Sequence, residues 1–287
     1  MDRFKNEFMS IINLLLAFIP ITLVLDHLAA TPAPIVFFSA ALAIVPIARL
    51  IIHSTVQIAR HTGDAIGGLL NATFGNAPEL IIAIVALKAG LYDMVRASLI
   101  GAVLANLLLA QGLAFLMGGL RFRDQIYNPN ATRVYGSMML IAVISMLIPS
   151  AFSRLYSPVG TLPDEQTLNL ALAAVLLVVY GLYLLFMLKT HPDFFAGAKN
   201  ADAEPEAELP LPLAKAIALL VTGSLLAAWM SEILVGAAAG TGQALGMSET
   251  FIGLIFLAIV GGAAETGSAP EVFETLIAPS GLTGIHA

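Results

Sequence analysis

Apolar residues run along this chain in long blocks without the strict alternation of a half-buried strand, and polar clusters separate them. Eight such blocks, near residues 10–28, 34–59, 64–88, 93–118, 133–152, 167–188, 213–239 and 248–266, are rich in Ala, Leu and Gly. Each is long enough to cross about 30 Å of hydrocarbon as a helix. Turn signals divide them, among them Thr31-Pro32-Ala33-Pro34, Asn128-Pro129-Asn130 and Ser157-Pro158. The pattern predicts an all-α, polytopic membrane protein with about eight spans. Residues 190–212 differ in kind: Asp193, Asp202, Glu204, Glu206 and Glu208 alternate with Pro192, Pro205, Pro210 and Pro212, an acidic polar linker.

Composition agrees. Hydrophobic residues make up 59% of the 287 and charged residues only 11%, outside the usual soluble balance. With no cysteine, disulfides, thiolate metal sites and thiol redox chemistry are excluded. The first block reads as a retained span rather than a cleaved signal. Orientation follows from the basic residues. With the N-terminus inside, Arg3, Lys5, Arg60, Arg121, Arg123, Arg133, Lys189, Lys199 and Lys215 are cytoplasmic, whereas Lys88, Arg96 and Arg154 lie opposite and Arg49 falls within a span. That asymmetry predicts a cytoplasmic N-terminus and a cytoplasmic acidic linker.

Within the third block stands a carboxylate, Glu79. Keeping it ionised at mid-bilayer costs on the order of 3 kcal/mol even on the lenient insertion scale. Asn71, Gly75, Asn76 and Glu79 fall on one stripe of a 3.6-residue helix. Pro78 has no N–H for the Phe74 carbonyl, so a free backbone oxygen is expected beside the carboxylate. Oxygen donors among small residues describe a hard-cation site. The same pattern returns 186 positions later, where Gly75-Asn76-Ala77-Pro78-Glu79 aligns with Gly261-Gly262-Ala263-Ala264-Glu265. Both glutamates follow a long apolar approach. The two motif helices are the third and eighth spans, an odd number apart, and are expected to run in opposite directions as an inverted repeat.

The residues from Gly67 to Glu79, GGLLNATFGNAPE, resemble the first signature of the calcium/proton antiporters of the calcium:cation antiporter superfamily. Ser98 to Leu109 resembles the helix that follows it there, and Phe251 to Glu265 the start of the second signature. The resemblance covers about residues 33–266. It implies a leading helix (residues 1–32), a first five-helix repeat (33–189), the acidic linker (190–212) and a second repeat (213–287). It also implies a Ca2+ site built from Glu79 and Glu265, with alternating access driven by protons. Asn76 joins these two as an expected ligand; Asn71, Gly75, Pro78, Asn106, Gln111, Gly261 and Gly262 are the expected lining.

Three departures stand out. Gly262 replaces the Asn of the family's second signature, Thr266 its His, and Gln57 stands where many relatives have an acidic residue. Only 77 residues follow Pro210, and those after Thr266, with Glu271, Glu274, Pro270 and Pro279, do not read as a span. The second repeat is therefore expected to be incomplete, which raises the alternative of a non-transporting remnant or assembly partner. An exchanger for another cation, Mn2+ or Na+, also stays open. So do purely structural readings: a neutral, hydrogen-bonded Glu79; a vestigial Glu265; Asn71, Asn76 and Asn106 as interhelical glue; His53 and His61 as interfacial residues; Gly67, Gly75 and Gly101 as close-packing positions. No nucleophile–base pair or His-Glu-x-x-His motif supports a hydrolase. The expectation is a secondary transporter rather than an enzyme, without a cofactor and without nucleic-acid contacts. Its partners are membrane lipid, Ca2+ and protons, with homo-oligomerisation left open. Its setting is multi-pass, in a bacterial inner membrane.

Overall fold

The computed structural model describes residues 14–28, 30–62, 69–70, 73–121, 129–156, 162–191 and 211–267. Among these every regular element is helical: α1 Phe18–His27, α2 Ala33–Thr62, α3 Ala77–Lys88, α4 Tyr92–Leu104, α5 Gln111–Arg121, α6 Pro129–Tyr156, α7 Leu162–Leu185, α8 Leu213–Leu245, α9 Glu249–Phe251 and α10 Ala258–Gly267. Three π-helical stretches interrupt or extend them. Ala105–Ala110 joins α4 to α5, Phe186–Thr190 continues α7, and Ile252–Leu257 joins α9 to α10. All eight apolar blocks contain helix, and among the described residues five helices are long and apolar enough to cross a membrane by length and composition.

One compact unit holds α1–α5 and α8–α10; α6 and α7 form the other. At the centre of the first lies the pair α2 and α8. Gly240 abuts Ala33, Gly223 abuts Leu50 and Ile51, and Leu211 meets Gln57 and His61. Rising numbers on α2 meet falling numbers on α8, so the pair is antiparallel. Small buried residues (Ala40, Ala43, Ala48, Ala227 and Ala238) let the two backbones approach, the packing mode that replaces the hydrophobic drive within a bilayer. Two of the polar groups buried here are answered locally. Ser54 and Thr55 donate to the Leu50 and Ile51 carbonyls at 2.6 and 2.8 Å.

Two tight connections in this unit use left-handed glycines, Gly90 at φ 79° after α3 and Gly246 at φ 67° after α8. Leu91 N–H donates to the Ala86 carbonyl at 3.0 Å, and Met247 N–H to the Gly242 carbonyl at 2.8 Å, closing both helix ends as Schellman turns do. Beyond Gly246 the Ser248 hydroxyl accepts the Phe251 N–H at 3.1 Å and starts the next helix. An aromatic cluster then seats that helix on α2: the Phe256 ring stands edge-on to Phe37 at 6.1 Å and to Phe38 at 5.3 Å.

In the second unit α6 and α7 pack against each other. Leu140, Leu147, Leu170, Leu177 and Val178 are exposed, leaving both helices apolar on their outer surfaces. Helices apolar all round belong in lipid or against other apolar helices.

Candidate functional site

The motif helix expected to run unbroken over 64–88 breaks at Gly75–Asn76, which form a turn. Asn76 takes the N-cap position of α3, Pro78 lies in the first turn, and Leu80 N–H makes an early helical bond to the Asn76 carbonyl at 3.1 Å. Proline belongs in a first turn, where its missing N–H leaves no internal partner short. The break moves Glu79 from mid-helix to the opening turn of α3. The stripe expected to join Asn71 and Gly75 to Glu79 is therefore interrupted. Gly75 is half-buried in the turn, Asn76 is exposed, and Asn71 lies outside the described residues.

Against α3 packs α10, which carries the second copy of the motif and continues as helix through Gly261 and Gly262. Gly261 is buried and meets Glu79 directly: a Cβ built there would lie 2.7 Å from Glu79 Cγ and 3.6 Å from its Oε1. Any side chain at 261 would displace the carboxylate. One residue on, a Cβ at Gly262 would have Asn106 Oδ1 as its nearest described neighbour, at 4.0 Å. Successive residues of α10 thus face a carboxylate from α3 and an amide oxygen from the π-helical stretch after α4. Both are hard oxygen donors of the kind that divalent cations such as Ca2+ prefer.

Two backbone crossings hold this arrangement. Gly101 of α4 lies against the Leu254 carbonyl, where an added Cβ would clash, and Gly253 lies against the Met94 carbonyl in the same way. Gly101 serves close packing, as one reading of the sequence had it. Both crossings fall in the π-helical stretch 252–257, and Gly101 lies shortly before the stretch 105–110; such wide turns recur at functional sites.

Of the expected site residues, the structure brings together Glu79 with Gly261 and Gly262 with Asn106; Pro78 precedes Glu79 in the first turn of α3. Glu265 falls in α10, but its side chain lies outside the described residues. Gln111 opens α5 and is exposed. Gln57 is not at this site. It is buried in α2, and its Oε1 accepts the Leu211 N–H at 3.1 Å, while His61 Nε2 lies 2.7 Å from the Leu211 carbonyl. Together they clamp the backbone just ahead of α8. Arg49 stays in α2 with Nη1 buried and no hydrogen-bond partner among the described residues. One intramembrane carboxylate was passed over in the sequence: Glu232 sits mid-way along α8 and lines a groove with Asp26, Thr31 and Trp229. The logic that singled out Glu79, an acid inside an apolar run, would have found it.

The sequence pattern of the sodium/calcium exchanger protein family matches residues 32–189 and 215–273. A Ca(2+)/H(+) antiporter of Aphanothece halophytica is 40% identical over 90% of this chain and 72% of its own length. The Ca(2+)/H(+) antiporter ChaA of Bacillus subtilis is 37% identical over 86% of this chain and 69% of its own. Vacuolar cation/proton exchanger 2 of rice is 37% identical over 90% of this chain, which spans only 60% of that protein. Among solved structures, native YfkE superposes with a TM-score of 0.74 at 31% identity, covering 94% of this chain and 75% of that one. This chain belongs to the sodium/calcium exchanger protein family, as a multi-pass secondary transporter rather than an enzyme.

Proposed function

We propose that this chain exchanges Ca2+ for protons across a membrane, with Glu79 and Glu265 as the carboxylates that both ions share. The observation that carries the proposal is the crossing of the two motif copies, where Gly261 of the second lies on Glu79 of the first. The antiparallel course of α2 and α8 supports an inverted repeat, as does the match of one family pattern to two segments of the chain. Bacterial relatives support a bacterial inner membrane, and the distribution of lysine and arginine supports a cytoplasmic N-terminus.

Coupling follows from electrostatics. Two carboxylates brought together in a low dielectric repel, and without a cation at least one holds a proton. A bound Ca2+ reverses that preference and displaces protons from the same oxygens. Neutralisation by one Ca2+ or by protons lets the loaded site change its access at modest cost, so the two cargoes move in exchange. Asn76 and Asn106 supply neutral oxygens around the pair.

The test is Ca2+-induced proton release by the purified chain in weak buffer. The native chain releases protons on Ca2+ addition, and Glu79→Gln, which keeps an oxygen but loses charge and titrating proton, abolishes the release while still inserting and folding. Unchanged release in Glu79→Gln overturns the proposal. Mn2+ and Na+ run in parallel identify the cation: release by Na+ alone would reassign the cargo.

A further inference from the structure

Hydroxyls inside a helix commonly donate back to a carbonyl one turn earlier. Along α8, Ser224 does so to the Leu220 carbonyl at 2.8 Å and Thr241 to the Ala237 carbonyl at 2.7 Å. Ser231, which stands between them, does not. Its side chain is fully buried, and Oγ has no hydrogen-bond partner among the described residues. A buried hydroxyl left unanswered is costly, so this position calls for a partner beyond those residues.

Register gives the depth of this hydroxyl. Gly240 abuts Ala33 and Gly223 abuts Leu50, and counting inward from either contact sets Ser231 level with Leu42 of α2. Met247 and Ile252 lie beside Gly242 near the Ala33 end, and Phe256 then reaches Phe37 and Phe38, so this segment advances in the direction of α2. Continued along α2, it brings Gly261, where Glu79 rests, to about the same level. Helix faces give the direction. On one flank of α8, Trp229, Glu232 and Gly236 line a groove with α1. Ser231, Val235, Ala238 and Gly242, spaced i, i+4, i+7 and i+11, form the other flank, and all four are buried. The helix α3, whose first turn holds Glu79, also packs against α8 and takes this second flank.

We propose that Ser231 is a further cation-binding residue, its hydroxyl facing the ion held between Glu79 and α10. The inference rests on the assignment of Glu79 and α10 to the cation site. Ca2+ gathers about six to eight oxygens, neutral ones included. A serine oxygen adds to that shell without adding charge. With the ion bound, Oγ gains the partner it lacks.

The experiment measures dissociation constants for Ca2+ and Cd2+ by calorimetry on the purified 287-residue chain and its variants. Ser231→Ala removes one oxygen from a helix that alanine favours, and it weakens Ca2+ about tenfold, the scale of one ligand contact. Ser231→Cys exchanges that hard oxygen for a soft sulfur of similar size. It weakens Ca2+ as Ser231→Ala does, yet tightens Cd2+ about tenfold or more, because thiolates prefer soft ions. The chain has no cysteine of its own, so the introduced thiol is the only one. The Cd2+ gain disappears when Glu79→Gln is added, since both side chains hold the same ion. A serine that only packs would give no Cd2+ gain on becoming cysteine. That result, or a gain that survives in the double variant, or native Ca2+ affinity in Ser231→Ala, overturns the inference alone when Glu79→Gln has lost Ca2+ binding. Undiminished Ca2+ binding in Glu79→Gln overturns the site assignment and the inference with it.

Discussion

The two copies of one five-residue pattern fold differently. At Gly75-Asn76-Ala77-Pro78-Glu79 the helix breaks and restarts, with Asn76 at the N-cap and Glu79 in the new first turn. At Gly261-Gly262-Ala263-Ala264-Glu265 it runs through. The chemistry of two positions accounts for the difference. Pro78 has no N–H to continue the ladder and Ala264 has one; Asn76 tolerates a cap and Gly262 leaves a smooth helix surface. The first copy aims a helix N-terminus at the site, and the second offers a flat backbone against which Glu79 can rest. A duplicated motif need not serve as two identical half-sites, and asymmetry at single positions gives each copy its own task.

The largest way to break this comparison is Gly261→Val. Its Cβ would fall 2.7 Å from Glu79 Cγ, so either the helices part or the carboxylate swings away. Overpacking of this kind costs about 1–3 kcal/mol. A lowered melting temperature together with loss of Ca2+-induced proton release is expected, and normal behaviour in both would mean that the close approach is not needed. Asn76→Gly makes the first copy resemble the second. It is expected to weaken Ca2+ about tenfold by removing an amide oxygen, with calorimetry as the check. Pro78→Ala restores an N–H at position 78 and favours an unbroken helix; a loss of about threefold in Ca2+ affinity is expected. The smallest effect lies away from the site. Gln57→Leu with His61→Ala releases the clamp on Leu211 and is expected to speed hydrogen exchange around the start of α8, at a cost of about 1 kcal/mol per bond. Ca2+ affinity should hold, as it should on deletion of residues 200–208, upstream of the clamp.

Much of the fold was legible because apolar block length and turn residues are local signals. The eight blocks predicted each contain helix, Thr31-Pro32 precede α2, and Pro129 opens α6. What was not legible depends on partners distant in sequence. The break at Gly75–Asn76 was half visible: Pro78 announced a freed carbonyl, but whether a helix bends or restarts there is decided by what packs on it. The π-helical stretches adjoin crossings of Gly101 on Leu254 and Gly253 on Met94, contacts that no local pattern encodes. Gln57 was read only as standing where many relatives have an acidic residue; its partner, backbone 154 residues away, was not visible. Among the candidate ligands, Glu79 and Asn106 could be found as polar groups in apolar runs. That Gly261 would touch one and Gly262 face the other required the crossing of α3, α4 and α10.

Whether the two motif copies act on one shared cation is tested most directly by a double-mutant cycle on Ca2+ binding, comparing the native chain, Glu79→Gln, Glu265→Gln and the double variant by calorimetry. If one ion is held by both carboxylates, each single substitution removes most of the affinity and the double variant binds little worse than either, so the losses are strongly non-additive. Independent losses that simply add, or a Glu265→Gln variant that binds Ca2+ as the native chain does, would contradict a site shared between the two copies.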